Sequence, residues 1–133
     1  MVEHFCEPAQ STTHRHGFEI AESWRHWEVV LSVIGEVDIV TAPHLSRAIC
    51  EALGKSATTL VIDLTEVTFL ASVGMSVLVT AQQAADAMAV RFAVVAEGVT
   101  TRRPITLLGI DAVLALYPTL DDALRAVRRD DRP

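Results

Sequence analysis

Lysine is nearly absent from this chain. Lys55 is the single one, and with the arginines the basic side chains number 11 against 17 acidic ones, for a formal net charge of −6. Nucleic-acid binders concentrate Lys and Arg, so this balance argues against a nucleic-acid partner. No apolar run approaches the roughly 20 residues needed to span a bilayer. The opening residues, Met1-Val2-Glu3-His4-Phe5-Cys6, have neither the basic start nor the apolar stretch of a signal peptide. The chain therefore reads as soluble and cytoplasmic, without a membrane partner. Cysteine is scarce as well. Cys6 and Cys50 are the only two, and with no secretory signal they read as reduced thiols, since spacing alone supports neither a disulfide nor a redox switch.

Other absences bear on chemistry. There is no Gly-x-Gly-x-x-Gly, no Gly-Lys-Ser/Thr phosphate loop, no Cys-x-x-Cys and no His-Glu-x-x-His. Ser72 lies in Ala-Ser-Val-Gly, which is not the Gly-x-Ser-x-Gly of a nucleophile elbow. His14 and His16 could present two imidazoles on one side of an extended tail, but no further ligands accompany them, and a solvated tail accounts for them. No catalytic residue, cofactor or metal is expected, and an enzyme is disfavoured. With half of its 133 residues apolar, the chain has material for one domain and one core.

Residues 1–16 mix Pro8 and Ser11-Thr12-Thr13 with no periodicity and read as a flexible N-terminal tail. Alternation predicts a strand over Phe18–Ser23, a turn at Trp24-Arg25-His26 and a second strand over Trp27–Ile34. Gly35 and Asp38 read as turn residues, and Pro43 suits the first turn of a helix. That helix runs from about Pro43 to Leu53, with Leu45, Ile49 and Leu53 on one stripe and Gly54 as its stop. Later come a strand over Arg91–Ala96, a short helix over Thr100–Leu108 closed by Gly109, and a short strand over Val113–Tyr117. Thr119 then caps a last helix through Arg129, with Leu120, Leu124 and Val127 inward and Asp121-Asp122 near its start. Residues 130–133 read as a solvated end.

The chain is organised around Leu60–Leu78. Leu60-Val61-Ile62-Asp63-Leu64 is a run of strand formers that breaks at Thr65-Glu66 and passes Phe69-Leu70. From Ala71-Ser72-Val73-Gly74 onward, Met75, Leu78, Ala81, Gln82 and Ala85 take up a three-to-four spacing, which starts a helix at or near Ser72. A serine there is either an N-cap or a place where a phosphate would be stabilised, because free amides and the positive end of the helix dipole converge on it. Gly74 inside a helix costs about 0.5–1 kcal/mol relative to Ala. A tight first turn, or the close approach of a ligand or another chain, would account for it. The full order is β-β-α-β-α-β-α-β-α, which calls for a mainly parallel or mixed sheet packed with helices.

The segment Asp63-Leu64, Val67, Phe69, Ala71-Ser72-Val73-Gly74-Met75 resembles the signature of STAS domains, specifically bacterial anti-sigma factor antagonists. Gly35-Glu36, Asp38 and Thr41-Ala42 match a second motif of that family. Two neighbours depart from its pattern, with Ala71 where Asp is usual and Val73 in place of a second Ser, leaving Ser72 as the one acceptor in the turn. The resemblance covers about residues 17–129 and implies a STAS-like mixed sheet. It implies phosphorylation at Ser72, and a partner-binding face formed by Asp38, Thr41, Ala71, Ser72, Val73, Gly74 and Met75. On residue type alone Thr41 reads equally as a helix cap and Asp38 as a turn residue. The implied partner is an anti-sigma factor, often itself a serine kinase with a GHKL-type ATP site. Binding it would release the sigma factor, and phosphate on Ser72 would end the binding. A scaffold subunit of a lipid-transport or stress-signalling complex, without a phosphate cycle, is the alternative. A small-ligand sensor is a third reading, for which no motif speaks.

Overall fold

The computed structural model describes residues 17–129. Strands β1 (Glu19–Arg25) and β2 (Glu28–Val37) form an antiparallel hairpin. Helix α1 (Ala42–Gly54) leads to β3 (Thr59–Leu70), α2 (Ser72–Ala87), β4 (Arg91–Val95) and α3 (Arg102–Leu107). A 3-10 turn (Ile110–Ala112), β5 (Leu116–Tyr117) and α4 (Leu120–Arg129) complete the fold. The strands lie side by side in chain order, and β2 to β5 are parallel to one another. This is the mixed α/β sheet expected from the alternation of strand and helix patterns.

Period-two alternation in β2 points Val29, Leu31, Val33 and Val37 to one face, where they are buried under α1 and α2. The stripe Leu45, Ile49 and Leu53 of α1 faces them, joined by Leu78, Ala81 and Ala85 of α2. On the opposite face Val61, Ala93 and Val95 meet Ala123 and Val127 of α4. Thr119 caps that helix as expected, its hydroxyl accepting the Asp122 N–H at 3.1 Å. Among the described residues no helix is long and apolar enough to cross a membrane.

The structure departs from the sequence pattern in several places. β3 does not break at Thr65-Glu66 but continues to Leu70. Asp63 faces Ser32, Glu66 faces Ile34 and Phe69 faces Glu36, so β3 accommodates one extra residue in two places. The Asp63 carboxylate accepts the Thr65 N–H at 3.0 Å and the Thr65 hydroxyl, a local turn-like bond that does not end pairing with β2. Gly35 lies inside β2 rather than in a turn. Its φ is +106°, and a Cβ there would sit 2.0 Å from the Gly17 carbonyl oxygen, so only glycine allows that approach. The hairpin turns at His26-Trp27, with His26 at φ 58°, so Trp24 and Arg25 belong to β1 and Trp27 to the turn. α1 runs through Gly54 before Lys55 closes it. The final strand shortens to Leu116–Tyr117 because the preceding 3-10 turn takes up Val113 and Leu114, whose N–H groups donate to the Ile110 carbonyl at 3.0 and 3.1 Å.

Cys50 is half-buried on α1. The expectations for residues 1–16, including Cys6, His14 and His16, and for residues 130–133 fall outside the described residues.

Candidate functional site

β2 and β3 end side by side. Val37 pairs with Leu70, and the Ala71 N–H donates to the Val37 carbonyl at 2.9 Å. The loop after β2 and the turn after β3 therefore share the carboxyl edge of the sheet, as parallel strands require.

The first loop is held by its own polar groups. The Asp38 Oδ1 accepts the N–H of Val40 at 2.9 Å and of Thr41 at 3.0 Å. The Thr41 hydroxyl donates to the Glu36 carbonyl at 2.7 Å and accepts the Asp38 N–H at 2.9 Å. Thr41 stands at the N-cap position of α1 but makes no side-chain cap bond. It is 3% exposed, so it ties the loop from inside. Asp38 is the turn residue its type suggested. With both committed inward, Ile39 and Val40 face solvent.

At the second turn the N-cap of α2 is Ala71, with extended φ −80° and ψ 165°. Its carbonyl accepts the N–H of Gly74 at 2.9 Å and of Met75 at 3.2 Å. Ser72 is thus the first helical residue, one position past the cap, and the reading of Ser72 as an N-cap is corrected. No side chain caps this 16-residue helix, because alanine carries no acceptor. The exposed Ser72 hydroxyl sits beside uncapped first-turn amides, at the positive end of the helix dipole.

Gly74 owes its identity to packing within the chain. A Cβ there would lie 2.5 Å from Val37 Cγ1 and 2.9 Å from Leu70 Cδ1. Gly74 and Met75 are buried, while Ala71, Val73 and Asp38 are half-buried. Of the seven expected face residues, then, only Ser72 is fully presented, and Thr41, Gly74 and Met75 support it from within. Sequence reasoning missed Ile39, Val40 and Phe69, the exposed apolar residues on the same edge. A bulky pair directly after the turn residue Asp38 was the available signal.

An open cleft of about 230 Å³ beside the first loop is lined by Gly17, Phe18, Gly35, Glu36, Asp38, Thr41 and Thr68. Among the described residues no group of His, Cys, Asp or Glu could hold a metal ion. A larger cleft of about 520 Å³, bordered by Gln82, Asp86, Arg91, Phe92 and Tyr117, shares no residue with the Ser72 edge.

Comparison with known proteins bears on most of the chain. The STAS domain family model matches residues 18–123. The anti-sigma-F factor antagonist RsfB of Mycobacterium tuberculosis is 48% identical over 99 residues, covering 74% of this chain and 80% of that one. The crystal structure of an anti-sigma factor antagonist from Mycobacterium paratuberculosis superposes with a TM-score of 0.73 at 46% identity, covering 84% of this chain and 94% of that one. The Bacillus cell-fate determinant SpoIIAA in its phosphorylated form gives a TM-score of 0.62 at 21% identity, over 83% and 98% of the two chains. At that identity the likeness concerns the fold alone.

Proposed function

Because the chain belongs to the STAS domain family, we propose that it is a cytoplasmic anti-sigma factor antagonist whose binding is switched by phosphorylation of Ser72. The observation that carries this reading is the exposed Ser72 hydroxyl at the first position of α2, where no side chain competes for the first-turn amides. The relative at 48% identity, named for antagonism of an anti-sigma factor, supplies the partner class.

The unmodified protein binds its anti-sigma factor through the edge formed by the Asp38–Thr41 loop and the Ser72 turn, and the sigma factor is set free. The anti-sigma factor, acting as a serine kinase, then transfers the γ-phosphoryl group of ATP. A bond forms between Ser72 Oγ and phosphorus, the bond to ADP breaks, and the hydroxyl proton leaves. The modification adds about −1.5 to −2 charges and three acceptor oxygens. The start of α2 accommodates these within the domain, so the fold is retained. A partner surface seated on the neutral hydroxyl instead meets a bulky dianion that must shed its water. No catalytic residue, cofactor or metal is assigned to this chain, which is the substrate of the kinase.

A pull-down from native lysate with wild type, Ser72→Ala and Ser72→Glu tests the reading. Wild type and Ser72→Ala should retain an ATP-binding anti-sigma factor that Ser72→Glu loses. Equal retention by all three would remove the role of Ser72 and favour a constitutive scaffold subunit.

A further inference from the structure

Ile39, Val40 and Phe69 are 78%, 46% and 51% exposed. All three lie within three residues of the Val37–Leu70 pair at which β2 and β3 end. Ile34 and Glu36 alternate with buried Val33, Gly35 and Val37, so they point away from α1 and α2. Their register partners Glu66 and Phe69 share that outer face. The outer-face core that α4 makes with the sheet centres on Val61, Ala93 and Val95, leaving Phe69 open to solvent beside Glu36 and Glu66. Segments 34–41 and 64–75 together hold Glu36, Asp38 and Glu66, and no Lys, Arg or His. The edge around Ser72 is thus apolar and acidic at once.

Nothing in the fold requires the apolar part. The bonds that shape the loop come from Asp38, Thr41 and the backbone, and polar residues at 39 and 40 would leave them intact. Bulky side chains held outward by a rigid loop are what an interface uses as anchors.

We infer that Ile39, Val40 and Phe69 are the anchors by which this protein holds its anti-sigma factor, and that the receiving surface is apolar with a cationic rim facing Glu36 and Glu66. This rests on the function proposed above and names the contact residues of the same site. Charge selects this occupant over two others. A second copy of the chain, or an anionic membrane, would bring like charges together at Glu36 and Glu66. The anchors also border Ser72, so a phosphate there would have to be dehydrated for them to seat.

The test uses the full chain and the anti-sigma factor that wild type retains, with affinity measured by biolayer interferometry at 50 and 300 mM NaCl. Ile39→Ser and Phe69→Ser should each weaken binding at least tenfold, and Ile39→Ser, at a side chain 78% exposed, should keep the wild-type thermal midpoint. Met88→Ser, an exposed apolar position just past the far end of α2, should bind as wild type. Glu36→Gln combined with Glu66→Gln should flatten the salt dependence. Wild-type affinity in both serine variants would overturn the inference. An unchanged salt dependence in the glutamine pair, or equal capture by phosphatidylserine vesicles, would overturn the cationic-protein partner. If wild type retains no anti-sigma factor, it is the proposed function that fails.

Discussion

The backbone at Ala71 has the extended geometry of a helix cap, yet the side chain has nothing to donate or accept. The adjacent Ser72 hydroxyl is too far along the helix to serve as that cap. The Ala71 carbonyl takes the Gly74 and Met75 amides, which leaves those of Ser72 and Val73 for a group brought from outside, and on the proposed function a phosphoryl group on Ser72 would use them. Supplying an internal acceptor should show the cost of leaving the site empty. Ala71→Asp is expected to raise unfolding free energy by about 0.5–1.5 kcal/mol, by capping and by interaction with the dipole. Urea unfolding at pH 7 would register this as a higher midpoint with an unchanged slope. No change would mean that the amides are already satisfied.

At the scale of elements, α2 is set against the ends of β2 and β3 by a glycine. An alanine at 74 would gain about 0.5–1 kcal/mol of helix propensity. Its Cβ would intrude on Val37 and Leu70 at 2.5 and 2.9 Å, and overpacking of that kind costs about 1–3 kcal/mol. Packing wins, so Gly74→Ala should lower the thermal midpoint, and a raised midpoint would show that Val37 and Leu70 give way freely. This glycine also marks where sequence reasoning reached its limit. The change from alternation to three-to-four spacing located the start of α2 to within about a residue. The reason for Gly74, however, lies in Val37, which is remote in sequence. The same holds for β3, where Thr65-Glu66 has the composition of a turn. Only pairing with β2, a non-local property, turns those residues into bulges of a continuing strand. Alternation made the hairpin and the inner faces of β2 and α1 legible. It could not show that Thr41 turns inward while Ile39 turns outward, because the hydrogen bonds of Asp38 and Thr41 decide that.

Across the whole molecule, the two faces of the sheet have separate covers, α1 and α2 on one and α4 on the other. Glu28 at the start of β2 and Arg128 near the end of α4 form a two-pronged pair, at 2.6 and 3.2 Å, which latches α4 down at the edge opposite Ser72. The hydrogen bond to Glu28 raises the Arg128 pKa above its ordinary value. On the proposed function, a phosphate on Ser72 would act at the interface itself and leave the fold in place. The most direct test is titration calorimetry of the retained anti-sigma factor against unmodified protein and against protein stoichiometrically phosphorylated at Ser72, with circular dichroism of both forms. The account predicts matching spectra and an affinity lower by about a hundredfold or more, which is about 2.7 kcal/mol of binding free energy. Equal affinities of the two forms would contradict it.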